Sequence, residues 1–545
     1  MKLPASILTT LLGIASSGVT NADAFVFPRA QSSRYSSAKV LSSGADKDQD
    51  SPTSSEFPRI IETNGVPIHL YTDDIEPEAI EQLRVLAESP VPVDYVSAMP
   101  DAHLGKGVTI GSVFASEKYV CPNAVGVDIG CGMAAIPIDG LYKNQLTNDK
   151  MNEIQRLLKE QIPTGFEQHR KTLDGTREVL SKITDEVEPT QYLKDQLLEP
   201  RVADQLGTLG GGNHFLEVVY EEDTEQVWIM LHSGSRNIGN RVATRYDQVA
   251  KSLLLSQGVE TQPLRGIHYM PIDSQEGQDY LRDMEWCQRY AFHNRQAMQN
   301  IMEKIVERVT GKQADVTKGT NIHHNYCACE DCGDGRKLWI TRKGATSAKA
   351  GEYGIIPGSM GTGSYITRGR GNLLSWNSSS HGAGRRMSRT KAKSEIAQSD
   401  FEAAMKGIVC DTAPAVKDEA PQAYKDLNVV MKNQASLTDV VHHLLPLINV
   451  KGFEEKSSLD KRRRRPPSPK SKEQKLNERR KLIEKQLERN QKSINSHSRK
   501  LESPDFTEKA PGEVVEQTKA RLDKYRKKRE ALMRNLDDVN KGFMY

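Results

Sequence analysis

Apolar positions recur along this chain with two periods, and the two are interleaved. Short β-branched or aromatic runs, "VTIGSVFA" (108–115), "QVWIML" (226–231) and "KLWIT" (337–341), read as strands. Between them lie helix-period stretches, "TNDKMNEIQRLLKEQI" (147–162) and "YLRDMEWCQRYAFHNRQAMQNIMEKIVERV" (280–309). The second places Tyr280, Met284, Cys287, Tyr290 and Ala291 on one helical stripe. No strand–helix–strand period repeats, so the pattern predicts an α+β fold rather than a doubly wound α/β fold. One globular region is expected over residues 56–452.

The pattern changes after Gly452. "KRRRRPPSPK" breaks it, and two charged helical patterns follow. One runs from Lys472 to Arg489. The other carries Val515, Leu522, Tyr525, Leu532, Leu536 and Val539 at 3–4 spacing, suited to pairing with a partner helix. The tail 453–545 is expected to be solvated, disordered or helical. It holds 27 Lys+Arg against 16 Asp+Glu, a net of +11 in a chain of net +3, which leaves −8 for the rest. An acidic body with a basic tail points to a polyanionic partner for the tail, and RNA is the preferred one.

Residues 1–24 resemble a secretory-type signal, with Lys2, an apolar run from Ile7 to Ile14 and the small residues Ala22 and Ala24 before Phe25. Residues 25–55 are Ser-rich, transit-like and expected to be disordered. Together they predict a two-part leader to a plastid. The alternative compartments are cytoplasm or nucleus, with "KRRRR" as a nuclear address. No run approaches the ~20 apolar residues that span a bilayer, so membrane insertion is not expected. Seven cysteines in so long a chain make no disulfide framework.

Candidate chemistry sits in Gly-punctuated loops. "NAVGVDIGCGM" puts Asp128 and Cys131 three residues apart, able to face one cation. Taken alone, a buried Cys beside a capping Asp is the commoner explanation. His214 follows a glycine run in "GTLGGGNHFLEV", His232 ends the strand in "WIMLHSGSR", and His324 lies in "NIHHNY". Five such ligands exceed the needs of one catalytic metal, whereas two metals sharing the thiolate would use them all. Mn, Fe, Co or Zn suits this mixed donor set. There is no GxxxxGK[ST], but "IIPGSMGTGSYITRGRGN" offers backbone N–H and hydroxyl groups to phosphate or ribose. His381, in "SSSHGAGRR", has small neighbours and nearby arginines, as a histidine attacking phosphorus would need.

These segments, with "MPDAHLGKGVTIGSV", "TRKGATSAKAGEYGIIPGSMGTGSYI" and "NVKG", resemble in their order the RtcB family of RNA-splicing ligases. The resemblance spans roughly Pro58 to Gly452. It implies a single catalytic domain with a two-metal cleft. The implied enzyme is a GTP-dependent ligase joining RNA 3′-phosphate or 2′,3′-cyclic phosphate ends to 5′-hydroxyl ends, in tRNA splicing or RNA repair. By the same resemblance His381 is guanylylated. Two Mn2+ ions are held by Asp128, Cys131, His214, His232 and His324. Guanylate contacts fall on Asn213, His214, Phe215, Leu216, Glu217, His324, Asn325, Pro357, Gly358, Ser359, Met360, Ser364, His381, Gly382, Ala383, Gly384 and Lys451. Glu217 is placed to read the guanine edge. An activating protein partner is a feature of some relatives, and a monomer is the default.

Two other readings compete: a two-metal RNA-end phosphohydrolase, and a non-catalytic RNA-binding repair protein. The inserted "CACEDCGDG" departs from the family pattern. Cys327, Cys329 and Cys332 there could bind structural zinc with His323 or tune the site by oxidation, or the segment is an exposed loop without metal.

Overall fold

The structure, a computed structural model, describes residues 57–333, 335–452, 472–509 and 511–540. The leader segments and the "KRRRR" run lie outside the described residues. Contacts divide the chain into two units, 1–455 and 456–545.

Two sheets organise the first unit. A seven-stranded sheet is antiparallel throughout, in the order Thr320–His323, Gly132–Tyr142, Gln226–Ser233, Phe215–Glu221, Thr438–Lys451, Ser364–Gly369 and Tyr353–Pro357. A six-stranded sheet runs Arg59–Ile61, Ile68–Leu70, Val93–His103, Ile110–Ser116, Lys337–Lys343 and Asn325–Asp331. Its one parallel pair joins Ile68–Leu70 to Val93–His103. The mixture is the α+β class that the periodicities predict.

The apolar run 226–231 shows why a strand can lack a polar face. Val227, Ile229 and Leu231 belong to one buried cluster, and Trp228 and Met230 to another across the sheet. Helices Asn148–Gln161 and Gln275–Thr310 contribute Ile154, Leu158, Met298 and Met302 to the first cluster. Both helices start where a hydroxyl stops them from extending. Thr147 accepts from the Lys150 N–H, and Ser274 from that of Gly277. The longer one ends at Gly311, whose left-handed φ of 72° suits a residue without a Cβ. With helices covering one face of the sheet, the loops and strand ends of the other face are left to build a site.

The cysteine insertion forms the end of an edge strand and the exposed turn after it. Cys327 and Cys329 lie in the edge strand Asn325–Asp331, paired with Lys337–Lys343. Cys327 is buried in one apolar cluster and Cys332 in another, while Cys329 is exposed. Among the described residues the three share no common cation position. His323, the suggested fourth ligand, instead has Nδ1 within 2.9 Å of Gly130 O and 3.1 Å of Arg295 Nη2, either of which it can bond according to its tautomer.

The second unit is a helical hairpin, Lys472–Glu502 followed by Gly512–Asn540. Ile483 packs with Leu532, Leu487 and Leu536, while Asn490 Nδ2 donates to Tyr525 O at 2.8 Å. Pairing falls as one number rises, so the helices are antiparallel. The partner helix that the apolar stripe called for lies within the same chain. Arg521, Lys524, Arg526, Lys527, Lys528 and Arg529 are all exposed, while Leu522 among them is buried. No described helix is long and apolar enough to cross a membrane.

Candidate active site

The glycine loop before strand Gly132–Tyr142 makes a tight turn, with Cys131 N–H donating to Asp128 O at 3.1 Å. Gly130 adopts φ 70°, and a Cβ there would lie 2.8 Å from the Cα of Gln288. The turn is therefore pressed onto the long helix. It is zipped to a second segment by Gly130 N–H to Asn325 O and His324 N–H to Cys131 O, both 2.8 Å. His324 stands where the chain leaves the seven-stranded sheet at His323 and enters the six-stranded one at Asn325. The fold thus brings residue 324 to residues 128–131.

His214 and His232 arrive from neighbouring strands. His214 Nε2 lies 3.0 Å from an Asp128 carboxylate oxygen and 3.4 Å from Cys131 Sγ. His232 Nε2 lies 3.2 Å from that sulfur and 3.2 Å from His324 Nε2. Backbone carbonyls choose the tautomers: His214 Nδ1 donates to Leu209 O at 2.9 Å, and His232 Nδ1 to Asn213 O at 3.2 Å. The Nε2 lone pairs of both therefore face the thiol, as metal-bound imidazoles require. Burial, then the neighbouring imidazoles, pushes His232 and His324 well below the usual histidine range. They are neutral ligands in waiting, and all five predicted metal residues come together. Carboxylate, thiol and three imidazoles fit a borderline transition metal better than magnesium or calcium.

His381 follows the short strand Ser378–Ser380, itself paired with Ala345–Ser347. Its ring centroid is 4.8 Å from that of His324. The fully buried Asp101 grips this segment: one carboxylate oxygen accepts the N–H groups of His381 and Gly382, each at 3.1 Å. The same oxygen lies 2.7 Å from His381 Nδ1, at an angle too bent for a straight hydrogen bond. Burial opposes charge on Asp101, yet the His381 imidazole holds its carboxyl below the usual range. With Nδ1 turned to Asp101, Nε2 is the nitrogen left for chemistry. Small residues here have a second cause besides room for a ligand. Gly384 has φ 74°, and a Cβ on it would come within 2.3 Å of Asp101 O.

A cavity of about 630 Å³ opens beside His381. Asn213, Phe215, Glu217, Pro357, Gly358, Ser359, Met360, Ser364, Gly382, Ala383, Gly384 and Lys451 line it, as the resemblance implies, together with His232. Of the other implied contacts, His214, His324, Asn325 and Leu216 are not among the lining residues. Side chains alternate along Phe215–Glu221, so Phe215 and Glu217 face the cavity and Leu216 enters the core. Asn325 is a brace rather than a wall: Nδ2 donates to Asp128 O at 3.2 Å, and Oδ1 accepts from Gly344 N–H at 2.8 Å.

Buried charge collects in one part of the cavity wall. Glu419 accepts from Lys451 at 2.9 Å, Arg389 at 2.5 Å and Arg385 at 3.3 Å. Burial works against its charge, but Lys451, Arg389 and Arg385 bring it down to about 2. Glu217 lacks such company, and burial pushes it up to about 7. The arginines after His381 are thus already paired, and Arg386 bonds Asp74.

Sequence reasoning did not single out Asp101, Glu419 or Asn449. Asp101 lies in a quoted motif, "MPDAHLGKG", but a lone aspartate in a strand-like run carries no signal of its partner 280 positions away. Glu419 sits in "KDEAPQ" with nothing to mark burial.

Fold and site define a class: an α+β protein with a metal-type donor cluster touching a histidine whose free nitrogen faces a nucleotide-sized cavity. The particular family follows from comparison. The family model described as tRNA-splicing ligase RtcB matches residues 82–452, and the chain belongs to this RtcB family. It is 38% identical over 413 residues to the RNA-splicing ligase RtcB of Escherichia coli K12, covering 72% of this chain and 99% of the relative. It is 31% identical over 466 residues to the tRNA-splicing ligase RtcB of Nanoarchaeum equitans, covering 71% and 95%. Identity to the Thermococcus kodakarensis tRNA-splicing ligase RtcB is 30% over 474 residues, covering 73% and 97%. A second family model, the valyl tRNA synthetase tRNA binding arm, matches residues 475–540, the helical hairpin.

Proposed function

We propose that this protein is an RNA ligase that joins a 3′-phosphate or 2′,3′-cyclic phosphate end to a 5′-hydroxyl end through a guanylylated His381. The observation that carries the reading is His381 itself: its Nδ1 lies 2.7 Å from a buried Asp101 oxygen, and the ring abuts His324 at the edge of the donor cluster. His381 Nε2 attacks the α-phosphorus of GTP, forming a P–N bond, and pyrophosphate leaves. The guanylyl group passes to an oxygen of the RNA 3′-phosphate and the imidazole is released. The 5′-hydroxyl oxygen then attacks that phosphate, and GMP departs with the bonding electron pair. A cyclic end must first be opened by water. Asp128, Cys131, His214, His232 and His324 would hold two Mn2+ ions, which would supply Lewis-acid stabilisation of phosphate oxygens. Glu217 accepts from the guanine edge, and Lys451 contacts phosphate or base.

Incubation with radiolabelled GTP and Mn2+ tests this. Acid-labile label is expected on the unmodified protein and none on His381→Ala. An unlabelled protein that nonetheless removes RNA end phosphates would instead be the phosphohydrolase.

The hairpin extends the reading. Its match to a tRNA binding arm and its exposed basic run 521–529 support a role in holding the body of a tRNA-like RNA while the first unit works on the ends. Removing residues 453–545 should weaken RNA binding most at low salt and flatten its salt dependence. An unchanged slope disposes of this role.

A further inference from the structure

One cavity residue has a hydrogen-bonding capacity that the protein leaves half used. Asn449 lies on strand Thr438–Lys451, directly opposite Glu217 in the ladder. Its Nδ2 donates to Glu217 Oε1 at 2.6 Å. Its Oδ1 is buried without a hydrogen-bond partner among the described residues, although the residue is only 1% exposed and lines the cavity. With Glu217 ionised, turning the amide over does not relieve this, because the carbonyl would then face the carboxylate, acceptor against acceptor. A buried acceptor left without a partner is costly, so a donor from a ligand is what the position lacks.

The chemistry of the bases narrows that donor. Beside Oδ1 stands the Glu217 carboxylate, so this pair of side chains presents acceptors to a base edge. Adenine offers an acceptor at N1 and meets this wall poorly. Hypoxanthine offers one donor, N1–H. Guanine offers N1–H and both hydrogens of its 2-amino group, three donors on one edge. The carboxylate can take N1–H and the nearer amino hydrogen, which leaves the outer one for a third acceptor.

Resting on the reading of the cavity as a guanine-nucleotide site, we propose that Asn449 Oδ1 accepts the outer hydrogen of the guanine 2-amino group while Nδ2 holds Glu217 in place. Asn449 is then a specificity-determining residue that separates GTP from ITP, which differ only in that amino group.

The test compares label transfer to His381 from GTP and from ITP, in the Mn2+-loaded unmodified protein and in Asn449→Leu, which keeps the shape and removes both polar atoms. The unmodified protein should prefer GTP by about tenfold or more, the scale of one orphaned polar group. In Asn449→Leu that preference should fall at least about fivefold, even if both rates drop together. A preference unchanged in Asn449→Leu overturns the proposal. As a measurement that needs no variant, GMP should bind the unmodified protein about tenfold tighter than IMP by calorimetry, and equal affinities likewise overturn it. If neither nucleotide labels the unmodified protein, the guanylylation reading itself fails. Labelling with no GTP preference leaves that reading standing and removes only this one.

Discussion

The two ends of the cleft face opposite electrostatic problems. At the donor cluster, three Nε2 atoms and a thiol turn toward one another; His232 and His324 face each other nitrogen to nitrogen at 3.2 Å. At the Glu419 wall, three cations are drawn onto a single carboxylate that burial alone would neutralise. The first end gathers donors suited to a cation. The second has its charges already paired, so an incoming anion competes with Glu419 for its cations.

The sharpest way to break the contrast is at the cluster. Cys131→Ala removes the one donor near both His214 and His232. It should lower RNA joining by at least about 10³-fold and reduce bound metal per chain by elemental analysis. Full metal content in that variant would mean the lone pairs converge for another reason.

Asp101→Asn comes next. The amide still fills the space but cannot accept both N–H groups and orient Nδ1 as a carboxylate does. Transfer of label to His381 should slow about 10²-fold while metal content stays the same, which separates positioning from metal loss.

A smaller effect sits at Glu217. Its folded-state value of about 7 is above the ordinary carboxylate value near 4.5, so the fold favours its neutral form. Its effect on stability is therefore absent below about 4.5 and grows into a cost as pH rises through about 7. Glu217→Gln should raise stability by on the order of 2 kcal/mol at pH 8, a gain that disappears toward pH 4.5, while nucleotide capture weakens. Denaturant melts at the two pH values measure it.

The mildest change is Glu419→Gln. With the buried carboxylate gone, Lys451, Arg385 and Arg389 turn to the ligand. GMP should then bind about three- to tenfold tighter, even as the protein loses stability. Weaker GMP binding would show that Glu419 positions these cations rather than restrains them.

Much of this was legible from residue order, for identifiable reasons. Helices 148–161 and 275–310 and strand 226–233 announce themselves because local period and burial coincide. His214, His232 and His324 were legible because each sits at a strand end beside an Asn or Ser. Leu216 was misplaced because a contact span carries no face, whereas strand alternation sends neighbours to opposite sides. The cysteine insertion misled because C-x-C-x-x-C spacing suggests convergence, and the edge strand and its turn send Cys327 and Cys332 into different cores.

Residue order alone determined which groups are chemically able: the imidazoles, the thiol, the glycines that allow turns, and the basic stripe of the hairpin. Those depend on composition and on spacing within one turn or strand. Only the tertiary structure decided which groups act on each other. Asp101 reaches His381, Asn449 meets Glu217 and Lys451 meets Glu419 because strands and loops distant in sequence are set side by side. Charge, tautomer and orphaned lone pairs depend on distances of about 3 Å between such neighbours, and no local pattern encodes those.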